Sequence, residues 1–118
     1  MTDPEIRALS DLASTACVHF RPIEPEFSKE TSDRLFQEYG VRIAPERILE
    51  LALHYREIYQ FTSGVLPEYY RPNHRKVSAP NDYDLAGLQA RMAEQFPEDP
   101  PEVLFSVMHR VILYEYLL

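Results

Sequence analysis

Ten prolines lie among 118 residues that hold only three glycines, and their positions constrain this chain more than any other feature. A proline has no amide hydrogen and a fixed φ, so a helix accepts it in its first turn and a sheet only at an edge. Pro4, Pro22 and Pro25, Pro45, Pro67 to Pro80, and Pro97 to Pro101 therefore mark breaks or starts. Between them apolar residues recur every three or four positions, and no stretch shows period-two alternation closed by a hairpin turn. The reading is an all-α, bundle-like domain of four to five helices with one long irregular loop.

Asp3 and Pro4 signal an N-cap and first turn, and Ile6, Leu9, Leu12, Ala13 and Ala16 place a first helix over about 4–18. His19 to Phe27 reads as an irregular connector. Ser28 is then expected to cap a short helix over 29–39, with Gly40 supplying its left-handed C-terminal residue. Pro45 opens a third helix whose face is Ile48, Leu51, Ala52, Tyr55, Ile58, Tyr59 and Thr62, ending near Gly64.

Residues 64–80, with three prolines and the run RPNHRKVS, exclude a long regular element and are longer than most connections in a compact domain. Asn81 is expected to cap a fourth helix, with Asp84 in its first turn and a stripe of Leu85, Leu88, Met92 and Phe96. After the acidic connector FPEDPPE, Asp99, Pro100 and Pro101 start a last helix that is apolar almost all round from Val103 to Leu118. Such a helix is either central to the fold or covered by another chain. The aromatic and β-branched run VILYEYLL also permits a C-terminal strand, although the length of the run from 102 favours a helix.

The length suits one domain, residues 1–118, burying roughly two thirds of its unfolded surface. The single cysteine, Cys17, excludes an internal disulfide framework, and MTDPEIRALS has no basic segment leading into an apolar run. A reducing, cytoplasmic setting is expected, without a membrane span. Nineteen acidic against twelve basic side chains, a net charge of −7, make nucleic acid an unfavourable partner, since phosphate affinity comes from lysine and arginine. Mimicry of nucleic acid by an inhibitor is an alternative, but arginines at 7, 21, 34, 42, 47, 56 and 91 interrupt the acidic field.

Catalytic motifs are sparse. Gly40, Gly64 and Gly87 are isolated, so no phosphate-cradling loop is present, and HExxH and GxSxG are missing. Glu50, His54 and Glu57 share a helix face at four- and three-residue spacing, the pattern behind an alternative metal-dependent enzyme. A helical metal centre needs further ligands from facing helices, and no second matched motif is found. Cys17 and His19 are two positions apart on a helix and point different ways. No cofactor or metal is therefore expected, and the chain is not read as an enzyme.

Recognition of another protein is the leading expectation. Tyr69, Tyr70, Arg71, Arg75 and Lys76 reverse the local charge sign and offer aromatic area beside directional donors. Glu94, Glu98, Asp99 and Glu102 form a projecting acidic counter-surface that can steer a basic partner. Tyr114 and Tyr116 cannot face one direction on a helix, so Tyr114, Leu117 and Leu118 are candidates for a hydrophobic contact with a partner or a second copy. A small acidic adaptor, inhibitor or accessory subunit accounts for these features.

Overall fold

The prolines do start helices, in one case earlier than expected. In the computed structural model, which describes residues 1–18, 23–71 and 83–117 (116 and 117 by backbone alone), α1 spans Asp3–Ala16 and α2 Pro25–Tyr39. α3 spans Pro45–Val65 and continues into a 3₁₀ turn, Leu66–Tyr69, while α4 is Leu85–Gln95 and α5 is Pro101–Leu117. These helices make a mostly helical domain without a sheet among the described residues; the one strand-like contact there is an antiparallel bridge between Tyr70 and Tyr83. The strand alternative for VILYEYLL fails, because this run continues the helix that begins at Pro101.

The local corrections have simple causes. Thr2, rather than Asp3, caps α1 by accepting the Glu5 N–H at 3.3 Å, and the helix stops at Ala16 instead of 18. α2 starts at Pro25, within the expected connector, because a proline at the first helical position loses no hydrogen bond. Ser28 is thus a buried residue inside α2 and not its cap. Gly40 ends the helix with φ +69°, its N–H donating to the Phe36 carbonyl at 2.9 Å, as its sequence position indicates.

α3 passes through Gly64 and tightens into the 3₁₀ turn only at Leu66, one residue ahead of Pro67, which has no N–H to continue the ladder. Leu66 is buried, so the extra turn adds apolar cover to the core. Asn81 lies outside the described residues, and Asp84 is the cap of α4 and not a residue of its first turn. Its carboxylate accepts the Gly87 N–H at 3.0 Å and occupies the place where a side chain at 87 would begin.

α5 is packed on α1, α3 and α4, and α3 in turn touches all four other helices. Val103, Leu104, Val107, Met108, Val111 and Ile112 are buried, each stabilising the fold by about 1.5–3 kcal/mol relative to exposure. Against them lie Leu12, Ile48, Tyr55, Ile58, Leu88 and Met92. Phe105 remains 50% exposed, with the His109 ring stacked at 6.4 Å on the same outer side. None of the helices, among the described residues, is long and apolar enough to cross a membrane.

α2 is tied to α1 by polar contacts. Asp11 receives both terminal nitrogens of Arg34, at 2.7 and 2.9 Å, and the Tyr39 hydroxyl at 2.8 Å. Burial raises the Asp11 pKa, but the Arg34 and Tyr39 hydrogen bonds, with the Arg34 charge, outweigh it and hold the carboxyl below its ordinary value. Ser32 donates to the Ile43 carbonyl, drawing the 40–44 segment back along α2 to the start of α3.

Asp84→Ala is expected to cost about 1 kcal/mol; Gly87→Ala should stabilise that variant by about 0.5–1 kcal/mol yet give no gain in the parent chain, where it displaces the cap. Denaturant unfolding of the four proteins checks this coupling, which additive effects would refute. Asp11→Asn should destabilise by about 1–2 kcal/mol at neutral pH. Because the folded pKa is lowered, the deficit should be full above about pH 5 and shrink as pH falls through and below about 4; urea unfolding across that range measures it.

Candidate functional site

The first half of α1 and the first half of α3 run beside each other with Leu9 and Leu51 half-buried between them. Over this seam lies a hollow of about 840 Å³ reaching from Thr2 and Pro4 to the 39–44 segment. A second hollow of about 410 Å³ continues to the 95–100 connector. Leu9, Arg47 and Leu51 line both, so the two form one groove with an apolar floor and a connector at each end.

At the 95–100 end, His54 Nε2 lies 2.8 Å from Asp99 Oδ2. The His54 ring meets Phe96 edge-on at 5.9 Å and Tyr55 at 5.7 Å. A turn closed by the Asp99 N–H on the Phe96 carbonyl, at 3.2 Å, folds this proline-rich connector back over α3. Asp99 is thereby only 13% exposed, which corrects the expectation that it projects beside Glu94, Glu98 and Glu102; those three are exposed. The Tyr55 hydroxyl is held protonated far above its usual range, first by burial and then by the Asp99 charge.

A carboxylate that fixes one imidazole nitrogen is half of a catalytic arrangement, which also requires a nucleophile or substrate-polarising group in reach. The described residues lining this end of the groove include no serine, threonine or cysteine. Among the described residues no three of His, Cys, Asp and Glu gather to hold a metal ion. Glu50 pairs with Arg47 at 3.0 Å, His54 turns to Asp99 and Glu57 is exposed, so the helix-face trio is directed to separate surroundings. What the His54–Asp99 contact does physically is pin the end wall of the groove to α3.

No protein-family model matches the chain, and neither a curated protein nor a solved structure matches it. The chemistry therefore rests on the residues themselves.

The charge-reversed candidates separate. Tyr69 is half-buried against the core, with Arg91 beside it. Tyr70 is 45% exposed, its ring 5.4 Å from that of Tyr83. Arg71 turns back on its own chain, donating to the carbonyls of Glu68 and Tyr70 at 3.1 and 2.9 Å. Arg75 and Lys76 lie outside the described residues. Tyr114 is half-buried against the core, while Leu118 and the side chain of Leu117 are also outside the description.

The sequence places His54 and Asp99 in different groups, and their 45-residue separation leaves no local signal for the pair. Leu9 and Leu51 were visible only as core positions, because the seam between two helices cannot be read from either one. Cys17 is buried, its thiol directed at the Tyr55 carbonyl at 3.7 Å, and His19 lies outside the described residues. Burial pushes the Cys17 thiol up to about 11 against the opposing charges of Arg56 and Arg110. Since the thiolate is the reactive form, Cys17 should resist Ellman's reagent in the native protein and react fully in denaturant; rapid native labelling would contradict this placement.

Proposed function

We propose that the protein is a small acidic protein-binding module, acting as an adaptor, inhibitor or accessory subunit, and that the α1/α3 groove receives a basic segment of its partner carrying an apolar side chain. The observation that carries this reading is the continuity of the two hollows over Leu9 and Leu51, which offers an elongated apolar floor bounded by connectors. Such a floor supplies the anchor pocket on which binding energy concentrates.

Charge supports the choice of a basic segment. Arg42 is stacked 4.0 Å over Phe36 and Arg47 is paired with Glu50, so the cations of the rim are engaged. Glu5 and Glu98 form no salt bridge among the described residues. With a net charge of −7, the chain attracts a basic protein at long range and disfavours nucleic acid. A reducing, cytoplasmic setting is consistent with its one free thiol. Tyr69, Tyr70, Arg71, Arg75 and Lys76 orient the partner, and Tyr114, Leu117 and Leu118 extend the contact or form a homodimer.

The test is mass measurement under non-denaturing conditions on protein gently purified from its native extract, with three variants beside the parent. The parent should give a reproducible heteromeric mass. Leu51→Arg, checked for retained helicity, should lower partner recovery tenfold or more, whereas Arg75→Glu with Lys76→Glu should weaken it less. Full recovery with folded Leu51→Arg overturns the groove reading, and loss only with Leu117→Ser and Leu118→Ser transfers the contact to the terminal turn. A parent that is monomeric across native and reconstituted extracts overturns the binding function.

A further inference from the structure

On a different side of α1, facing α5, three arginines gather on a chain that is acidic overall. A groove of about 670 Å³ is lined there by Arg7, Arg34 and Arg110 with the hydroxyls of Ser10, Ser14 and Ser106. Arg7, Ser10 and Ser14 follow one another at three- and four-residue spacing on α1, and Ser106 and Arg110 are four apart on α5, so each set shares a helix face. Two carboxylates also line it, Asp11 and Glu102. Asp11 is taken up by Arg34 and Tyr39, and Arg34 is shared with Glu38 at 3.5 Å. In a chain of net charge −7, Arg7 and Arg110 thus line this seam with no carboxylate in salt-bridge contact among the described residues.

The donors there are not used up. Arg110 Nε donates to Ser14 Oγ at 2.8 Å, which fixes the guanidinium plane against α1. Its two terminal nitrogens carry no hydrogen bond or ion pair among the described residues, and neither does Arg7. Ser10 Oγ is buried and has no hydrogen-bond partner, the one side-chain atom of that kind in the described residues. Thr15 and Ser106 satisfy their hydroxyls on the carbonyl four residues earlier, at 2.9 and 3.1 Å; Ser10 does not. A buried hydroxyl without a partner is rare in folded proteins and calls for an acceptor at that place.

We infer that this groove is a binding site for a phosphate-type oxyanion, with Arg7 and the terminal nitrogens of Arg110 as the clamp and the Ser10 hydroxyl as a buried donor. Guanidinium groups match such an ion through paired N–H donors, and a fixed fork loses less freedom on binding than a mobile one. Ser14 and Asp11 are positioning residues that hold Arg110 and Arg34. This site is separate from the α1/α3 groove and does not depend on the function proposed for it.

Amide-resolved NMR titration of the full chain at constant ionic strength tests the inference, using inorganic phosphate, phosphoserine amide and acetate as probes. Saturable shifts are expected at 7–14 and 102–110 with phosphate, and at least fivefold weaker binding with acetate. Arg7→Gln and Arg110→Gln should each weaken phosphate at least fivefold, while Lys29→Gln, at an exposed α2 position outside the groove, should leave it unchanged. Ser10→Ala guards against a folding artefact: it removes an unsatisfied hydroxyl, so its thermal midpoint should not fall, yet phosphate binding should drop about threefold. Phosphoserine amide bound more tightly than phosphate identifies a modified side chain as the source, and equal affinity identifies the free ion. Shifts that do not saturate, or that persist unchanged in both arginine variants, overturn the site.

Discussion

A helix that is apolar on nearly every side cannot stand at the surface of a small protein, and α5 organises the molecule for that reason. Val103, Leu104, Val107, Met108, Val111 and Ile112 between them face α1, α3 and α4. Three helices must therefore assemble around one that is last in sequence, so the core forms largely from contacts between distant parts of the chain. Among the described side chains of α5, Pro101, Glu102, Phe105, His109 and Glu115 are exposed. α2, which lacks a seat on α5, is held instead to α1 and α3.

That difference explains where polar chemistry appears. α2 has little apolar surface to bury, with Ser28, Thr31 and Ser32 on its inward face beside Leu35, and its attachment depends on directional bonds such as Arg34 to Asp11. Where α1 meets α5, helices already joined by their apolar faces tolerate a polar margin of arginines and serines. Where α1 meets α3, the margin is apolar and opens as a groove. The three seams of α1 thus have three characters: bonded, cationic and greasy.

Much of the architecture was readable from local signals. Pro45, Gly40 and the stripe from Ile48 to Thr62 act through the geometry of single helices, and the structure agrees with them. The errors arose where two local signals competed. Pro25 outranked Ser28 as a helix start, Pro67 outranked Gly64 as a stop, and Asp84 caps the helix it was expected to enter. The candidate sites were much less legible. His54 meets Asp99 across 45 positions and Ser14 meets Arg110 across 96; such pairs depend on the packing of whole helices, for which periodicity supplies faces but no order of contact.

The bridge between Tyr70 and Tyr83 has a consequence for how the chain can change. Their backbones are joined, the Asp84 N–H reaches the Tyr69 carbonyl at 2.8 Å, and the adjoining rings lie together. The end of the 3₁₀ turn and the start of α4 are thus fastened to each other by main-chain pairing, so exchanging either tyrosine side chain removes the ring contact but leaves the backbone links in place. Side chains at 70 and 83 can therefore be rewritten without freeing α4 from the end of the 3₁₀ turn.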